Sequence, residues 1–244
     1  MMPERLNQTW VYLSASPLFW LTMTLVAYQL AFYLYQRCGQ RPIANPVLIS
    51  IILLVSLLTA TNTPYHRYFE GAQFVHFLLG PATVALAIPL YGQFRKLVNM
   101  AGPLAIALVG GSLTAMLSAV FVGHWFGGSL PTLLSLAPKS VTTPIAMGIA
   151  ENIGGHPSLA AVMVIVTGIL GAMVAQTLYR WLNIRDDAVA GFALGVSAHG
   201  IGTARAFQIN ETTGAFAALG MGLNGLLTAA ALPGIVSWIR PWLQ

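Results

Sequence analysis

Blocks of mainly apolar residues, each close to twenty residues long, follow one another along most of the chain. A helix needs about 20 such residues to cross the ~30 Å hydrocarbon core of a bilayer, whereas a transmembrane β-barrel needs shorter segments of alternating polarity, which do not occur here. The pattern predicts an all-α integral membrane protein with about seven transmembrane helices. An N-terminal lead-in at 1–16 is expected to precede a single transmembrane domain at 17–244. The predicted spans are Leu18–Tyr35, Val47–Ala60, Phe69–Tyr91, Pro103–Trp125, Ser158–Trp181, 187–210 and Ala215–Trp238.

Two of these spans carry residues that interrupt helices. The third contains Pro81 and Pro89, and a proline inside a helix removes a hydrogen bond and clashes with the preceding turn. The sixth contains a glycine-rich stretch around His199. We expect both helices to be broken.

The segment from Leu136 to Gly155 mixes polar and apolar side chains in a way that no other part of the chain does. A lipid-facing helix would leave its polar groups unpaired in hydrocarbon, at a cost of several kcal/mol each. The loops at both of its ends are expected on the same side of the membrane. Residues 129–156 are therefore predicted to form a re-entrant hairpin, with helix breaks at Pro138 and Pro144.

Composition and charge support the membrane assignment. Only 7% of the residues are charged and 57% are hydrophobic, whereas soluble domains carry about 25% charged residues. The net charge of +5 comes from basic residues at the ends of apolar blocks, which the positive-inside rule explains without a nucleic-acid partner. The rule places Arg37, Arg41, Arg95, Lys96, Arg180, Arg185 and Arg240 on the cytoplasmic side, and Arg67, Glu70, His124, Glu151, His156 and Glu211 outside.

The resulting topology contains two three-helix units of opposite direction, at 45–125 and 157–240, each with a broken middle helix. Matching interruptions in oppositely oriented units indicate an inverted-repeat transporter. The architecture is suggested by these breaks alone, because the two units show no residue-level similarity.

Lys139, Ser140, Thr142 and Thr143 are the first candidate binding residues. A charge at membrane depth normally marks an ion or substrate path, although a lysine can also snorkel to the interface. An ammonium and hydroxyl groups at the start of a helix combine a charge, hydrogen-bond donors and the positive end of the helix dipole. We interpret the group as a site for a small anion.

A second set lies in the sixth span. Arg205 offers a planar fork suited to a carboxylate, although a charged boundary loop would also account for it. His199 is predicted either to carry a coupled proton or to be packed and neutral. Glu151 is predicted to pair with Lys139, to take up a proton, or only to end a solvated helix. Asn45 and Asn224 are interpreted as structural polar residues. The remaining candidates of this set, next to His199 in the chain, are Gly200, Gly202 and Thr203.

Catalysis is not predicted. No nucleophile elbow, metal-spaced Cys and His set or phosphate-binding glycine loop is found in the sequence. We expect no enzymatic activity, no metal and no cofactor.

Several blocks of the chain resemble the LrgB/CidB family from about Asn45 to the C-terminus. The long Pro-Lys-Ser-Val-Thr-Thr-Pro string is the most specific of them. Where relatives often carry an acidic residue after Arg205, this chain has Gln208. The similar blocks are Pro138-Lys-Ser-Val-Thr-Thr-Pro-Ile-Ala-Met147, Ile153-Gly-Gly155, Thr167-Gly-Ile-Leu-Gly-Ala172, Ala198-His-Gly-Ile-Gly-Thr-Ala-Arg205 and Gly214-Ala-Phe216.

The resemblance implies a multi-pass protein of the bacterial inner membrane with a small LrgA/CidA-type partner. It implies either an antiholin-like modulator of murein hydrolases and autolysis, or a transporter, because a plastid relative exports glycolate and glycerate and other bacterial pairs are linked to pyruvate uptake. The cationic, hydroxyl-rich segments favour transport of such monocarboxylates. A third interpretation is a structural subunit whose small partner carries the transport. We expect a homodimer.

Overall fold

A computed structural model describes residues 16–40 and 44–242 of the chain. The predicted lead-in at 1–16 therefore lies outside the described residues except for Ser16, and Arg41 lies outside them too. Within the described ranges every regular element is helical, which confirms the all-α prediction. The α-helices are α1 Pro17–Arg37, α2 Pro46–Ala60, α3 Tyr65–Phe77, α4 Leu79–Ala85, α5 Ala87–Gly92, α6 Phe94–Trp125, α7 Leu130–Leu136, α8 Thr143–Ile153, α9 Pro157–Trp181, α10 Asp187–Ile209 and α11 Glu211–Ile239.

Five helical segments of the described chain are long and apolar enough to cross a membrane, which indicates a multi-pass membrane protein. One of the five is the run from α3 to α5. Two of the seven predicted spans fall outside this group. Helix α2 has 15 residues and is shorter than a bilayer requires. Helix α10 is interrupted by non-helical backbone at His199. The five are Pro17–Arg37, Tyr65–Gly92, Phe94–Trp125, Pro157–Trp181 and Glu211–Ile239.

The predicted break in the third span is confirmed. The segment is divided into α3, α4 and α5, and Pro81 and Pro89 each stand third in a short helix. A proline is tolerated in the first turn because the helix does not need that N–H group. Each break therefore lies just before its proline.

The chain forms two compact units, Met1–Ala85 and Leu86–Gln244. In the first unit, Asn45 begins α2 by accepting hydrogen bonds from the amides of Val47 and Leu48 at 2.9 and 3.3 Å. Trp20 of α1 is fully buried and meets the ring of Tyr68 edge to face. Asn45 thus has the structural role expected of it.

The second unit is built on three long helices, α6, α9 and α11. Helices α6 and α11 run in the same direction, because Ser112 lies beside Asn224 and Val120 shares a core with Val236. Helix α9 runs in the opposite direction, because Asp186, which follows its end, pairs with Lys96 at the start of α6.

Helices α7 and α8 form a hairpin between these long helices. Residues Ala137 and Ser140 of the connecting turn lie beside the middle of α6, whereas α8 ends at the level where Ile153 packs with Val236. After α8 the chain comes back to the last turn of α7, where the amide of His156 donates to Ser135 Oγ at 2.7 Å. The chain thus reverses between α7 and α8, with Pro138 in the turn and Pro144 in the first turn of α8. That 129–156 is re-entrant in a membrane stays a prediction.

Helix α10 also contains its predicted break, but the chain reverses there. The backbone of His199 has φ 42° and ψ −133°, outside the helical region. A Cβ atom on Gly191 or Gly195 would fall on the backbone of α11, at Thr213 and Ala217 respectively, so the arm 187–198 runs parallel to α11.

The arm 200–209 runs back along the same helix. Gly200 and Thr203 both lie close to the sulfur of Met221 in α11. The sulfur is 3.8 Å from Thr203 Oγ1 and 3.9 Å from the position that a Cβ atom on Gly200 would take. Further along the arm, the ring of Phe207 packs on Gly214. The prediction that 187–210 crosses the membrane is therefore wrong, since α10 is a second hairpin with its tip at His199.

This reversal changes two of the predicted loop positions. Arg240 lies near Gly154, with its Nη2 atom 3.9 Å from where a Cβ would stand, rather than at the end that holds Arg185. The start of α11, with Glu211, lies at the Arg185 end. Lys96 does lie at the same end of the unit as Arg185, because its Nζ atom is 3.0 Å from Oδ1 of the neighbouring Asp186. That this end is cytoplasmic stays a prediction.

A regular pattern results within the second unit. A long helix followed by a hairpin occurs twice, first as α6 with α7 and α8 and then as α9 with α10, and the second copy is inverted. The relation predicted between 45–125 and 157–240 stays a prediction.

Candidate functional site

The tips of the two hairpins meet at the side chain of Asn224. This residue lies in the middle of α11 and is 1% exposed. Its Nδ2 atom donates to the carbonyl oxygens of Ser140 and Val196, each at 3.0 Å. Its Oδ1 atom accepts from the hydroxyls of Ser112 and, at 3.4 Å, Thr228.

Asn224 therefore joins the turn of the first hairpin to the tip of the second one. The carbonyl of Val196 is available because a hydrogen bond to it from Gly200 would have to span the non-helical His199. A cavity of about 10 Å³ beside the amide has room for one water molecule. The sequence interpretation treated Asn224 as structural, although an amide in the middle of an apolar span was a usable signal.

Lys139 lies at the tip of the first hairpin. Its side chain is half-buried and its Nζ atom donates to Ser140 Oγ at 3.2 Å. The half-buried Thr142 and Thr143 follow at the start of α8, and the Thr142 hydroxyl makes no capping bond there. The predicted association of an ammonium, hydroxyl groups and a helix N-terminus is present in the structure.

His199 forms the tip of the second hairpin and is buried at 4% exposure. Its Nε2 atom lies 2.9 Å from the carbonyl oxygen of Val164 in α9, so this nitrogen carries the hydrogen. A Cβ atom on Gly168 would stand 2.7 Å from His199 Cε1, which shows that the ring needs a glycine there.

The other residues around His199 serve the turn. Thr203 donates its hydroxyl to the carbonyl of His199 at 2.9 Å. A Cβ atom on Gly202 would lie 2.8 Å from the carbonyl oxygen of Leu194, so this glycine lets the two arms approach closely. Gly202 is thus committed to packing, whereas Gly200 has no such close neighbour.

Arg205 is placed away from the tips. It lies six residues beyond His199, a distance of about 9 Å along a helix, and is 8% exposed. Its Nη1 atom donates to Gln208 Oε1 at 3.0 Å and its Nη2 atom to Gln176 Oε1 at 3.1 Å. Gln176, on α9, is a neighbour that the sequence interpretation missed.

Glu151 is exposed in the last turn of α8, at the end of the helix opposite to Lys139. An ion pair between them, considered from the sequence, is not formed. Within the described ranges, no group of three or more His, Cys, Asp and Glu side chains lies close enough together to hold a metal ion.

Comparison with known proteins places these residues in a family context. The model of the LrgB-like family matches residues 24–238, which include both hairpins. The chain is 37% identical over 219 residues to the YwbG protein of Bacillus subtilis, covering 90% of this chain and 97% of that protein. It is 27% identical over 224 residues to the antiholin-like protein LrgB of Bacillus cereus, covering 92% and 97%. No solved structure matches.

Proposed function

The chain belongs to the LrgB-like family, and on that premise we propose that it is a transporter or facilitator of small monocarboxylates of the pyruvate, glycolate or glycerate type. The protein would act in the bacterial inner membrane, as a homodimer and with a small LrgA/CidA-type partner. The substrate would bind where the two hairpin tips meet.

The observation that carries this proposal is the junction of both tips at Asn224. Non-helical backbone at membrane depth is tolerated only where protein or a cavity surrounds it, and transporter sites are typically built from such interrupted helices. The tips stand beside the middle of the long helices α6 and α11, Ser112 and Asn224 being near the centres of their helices. A binding site there is equally distant from both ends of the unit.

The chemistry at the tips suits a single carboxylate. Lys139 supplies one positive charge, Ser140 and Thr142 supply hydroxyls, and the first turn of α8 supplies N–H groups at the positive end of a helix. The hairpins enter from opposite ends of the unit, so movement of either one would open the tips to its own side. Whether His199 or Glu151 carries a proton with the substrate is part of the same proposal.

Uptake of labelled pyruvate and glycolate into proteoliposomes tests it. We expect saturable uptake by the wild type and a loss of about 100-fold or more for K139A, because an unpaired carboxylate at this depth would cost about 3 kcal/mol. K139R, which keeps the charge, and R95A, which removes an exposed cation far from the tips, serve as controls. Uptake by K139A at the wild-type rate would contradict the site, and no uptake by the wild type would contradict the function.

A second candidate function rests on the relatives that carry the name antiholin-like protein. A protein that modulates murein hydrolases through partner binding or oligomeric packing does not need charges at the hairpin tips. The single variants K139A and R205A test this function. If cells that express either variant show the same autolysis as cells with the wild type, and neither the variants nor the wild type transport carboxylates, the antiholin-like function is favoured.

A further inference from the structure

A cavity of about 380 Å³ lies at the base of the second hairpin, between the end of α9, both ends of α10 and the start of α11. Ile209 and Thr213 form part of its wall, and Gln176 lies at its inner side. The cavity is several times larger than a three-carbon acid needs. It belongs to the end of the unit that also holds Lys96 and Asp186.

Two exposed arginines line this cavity. Arg180 donates through Nε to the carbonyl of Gln176 at 3.4 Å, and Arg185 donates through Nε to Asn183 Oδ1 at 3.0 Å. Each guanidinium has five N–H donors, so further donors of both residues are available to a ligand. Asp187 also lines the cavity and offsets one of the two positive charges.

The inner wall of this cavity is hydrogen-bonded to the buried Arg205. The same Gln176 that faces the cavity accepts a hydrogen bond from the buried Arg205 at 3.1 Å. From Arg205 the arm 200–209 leads to His199 over about 9 Å. The buried cation Arg205 thus lies one side chain behind the cavity wall, and a cationic cleft of this kind attracts anions.

We propose that this cavity is a second anion site, an entrance vestibule in which Arg180 and Arg185 collect the carboxylate and pass it to Arg205. The inference rests on the proposed transport function. It assigns a binding role to Arg180, Arg185 and Gln176, which lie outside the tip site. The ligand class is a small oxyanion with a single carboxylate.

Kinetics of pyruvate uptake into phosphatidylcholine proteoliposomes test the vestibule. We expect the R180Q/R185Q double variant to raise KM about tenfold with little change in kcat, because focusing by charged clefts acts on capture. The difference should shrink at high salt, which screens exposed charges. R95Q, at the same end but outside the cavity, should leave KM unchanged. An equal KM for the double variant and R95Q would overturn the vestibule.

A lipid headgroup has similar oxyanion chemistry, and the choice of lipid separates it from the substrate. A KM effect that appears only in liposomes with anionic lipid would assign the arginines to a headgroup and overturn the proposal. A KM effect that is already present in phosphatidylcholine supports the substrate.

A binding measurement keeps this inference separate from transport. Ile184 lines the cavity, so I184C in a C38S background reports on its occupancy through reaction with an anionic thiol reagent. Pyruvate should slow that reaction, and R185Q should remove the protection. Protection without any transport would contradict the proposed function and support the vestibule, whereas transport without protection would contradict the vestibule alone.

Discussion

The two hairpins of the second unit reverse the chain by different means. The first one uses a turn of several residues between α7 and α8, with Pro138 in it and Pro144 just after it. The second one reverses at His199 alone, which is followed in the chain by Gly200 and, two residues later, by Gly202. A proline-bounded turn is visible in a sequence, while a reversal at one residue has the appearance of a kinked helix.

The difference extends to what each tip contributes. The first tip carries an ammonium bonded to the Ser140 hydroxyl, and the second carries a buried imidazole held by α9. The first is therefore suited to contact a ligand. The second is suited to hold the geometry against which the proposed carboxylate would bind.

Packing of the second hairpin against α11 provides the largest expected effect. In G195V the added side chain would collide with the backbone at Ala217, and backbone cannot yield as a side chain can. We expect a loss of about 3 kcal/mol or more, and little folded protein. Yield and monodispersity in detergent measure it. G222V, at an exposed glycine of α11 with no neighbour within 4 Å, is the matched control, and equal yields for the two variants would refute the hairpin packing.

The second largest effect is expected from removing Asn224, the link between the two hairpin tips. N224A removes the donor from two buried carbonyls, and each unsatisfied group costs about 1–3 kcal/mol. We expect a lower thermal midpoint and abolished carboxylate uptake. T228A removes only one long bond to the same Oδ1 atom and should cost less than about 1 kcal/mol. If N224A were as stable as T228A, the tips would not depend on this amide.

The contrast between the hairpins also explains what the sequence could and could not predict. Hydropathy placed the long helices, because their length and apolarity follow from the bilayer. The first hairpin was predictable from Lys139 and the two prolines. The direction of the chain after His199 was not, since a break in the periodic pattern carries no information on the angle that follows.

The candidate site was only partly predictable for a related reason. Lys139 and His199 were recognised because their side chains are costly in hydrocarbon. Asn224 and Gln176 are neutral amides, and their importance arises from carbonyls and a guanidinium contributed by other elements. Such partners are brought together by the tertiary fold. The ends assigned to Glu211 and Arg240 were wrong because they depended on the direction of α10.

A double-mutant cycle at the second tip should give a smaller effect. G168A places a methyl group against the His199 ring, and we expect a cost of about 2 kcal/mol. In the H199A background the same substitution should cost less, since the close contact that remains is with the flexible end of Ile201, 2.9 Å from the added Cβ. Thermal unfolding of the four proteins measures the coupling. G148A, at a glycine of α8 with open space around it, controls for helix propensity, and strict additivity would contradict the contact.

The smallest expected effect is a difference between the two hairpins in how their stability responds to pH. In the first hairpin the residue after α8, His156, is held to the last turn of α7 by a neutral bond from its amide to Ser135 Oγ, while the base of the second hairpin is held by the exposed pair Lys96 and Asp186. The hydrogen bond from Lys96 lowers the pKa of Asp186 below its ordinary value. A lowered folded-state pKa means that the pair stabilises above the ordinary aspartate pKa and that this contribution is lost as pH falls through the lowered value.

Substitution of Asp186 isolates this contribution from the helix cap. D186N keeps an oxygen for the amides of Ala188 and Val189, which Asp186 now caps at 2.7 and 3.2 Å, and removes only the charge. We expect a loss below about 1 kcal/mol at neutral pH, because exposed ion pairs contribute little, and no difference from the wild type once the aspartate is protonated. S135A should show a cost that is the same at both pH values, since neither partner of its bond titrates. A D186N effect that persists at the acidic pH would mean that the base of the second hairpin depends on the cap and not on the ion pair.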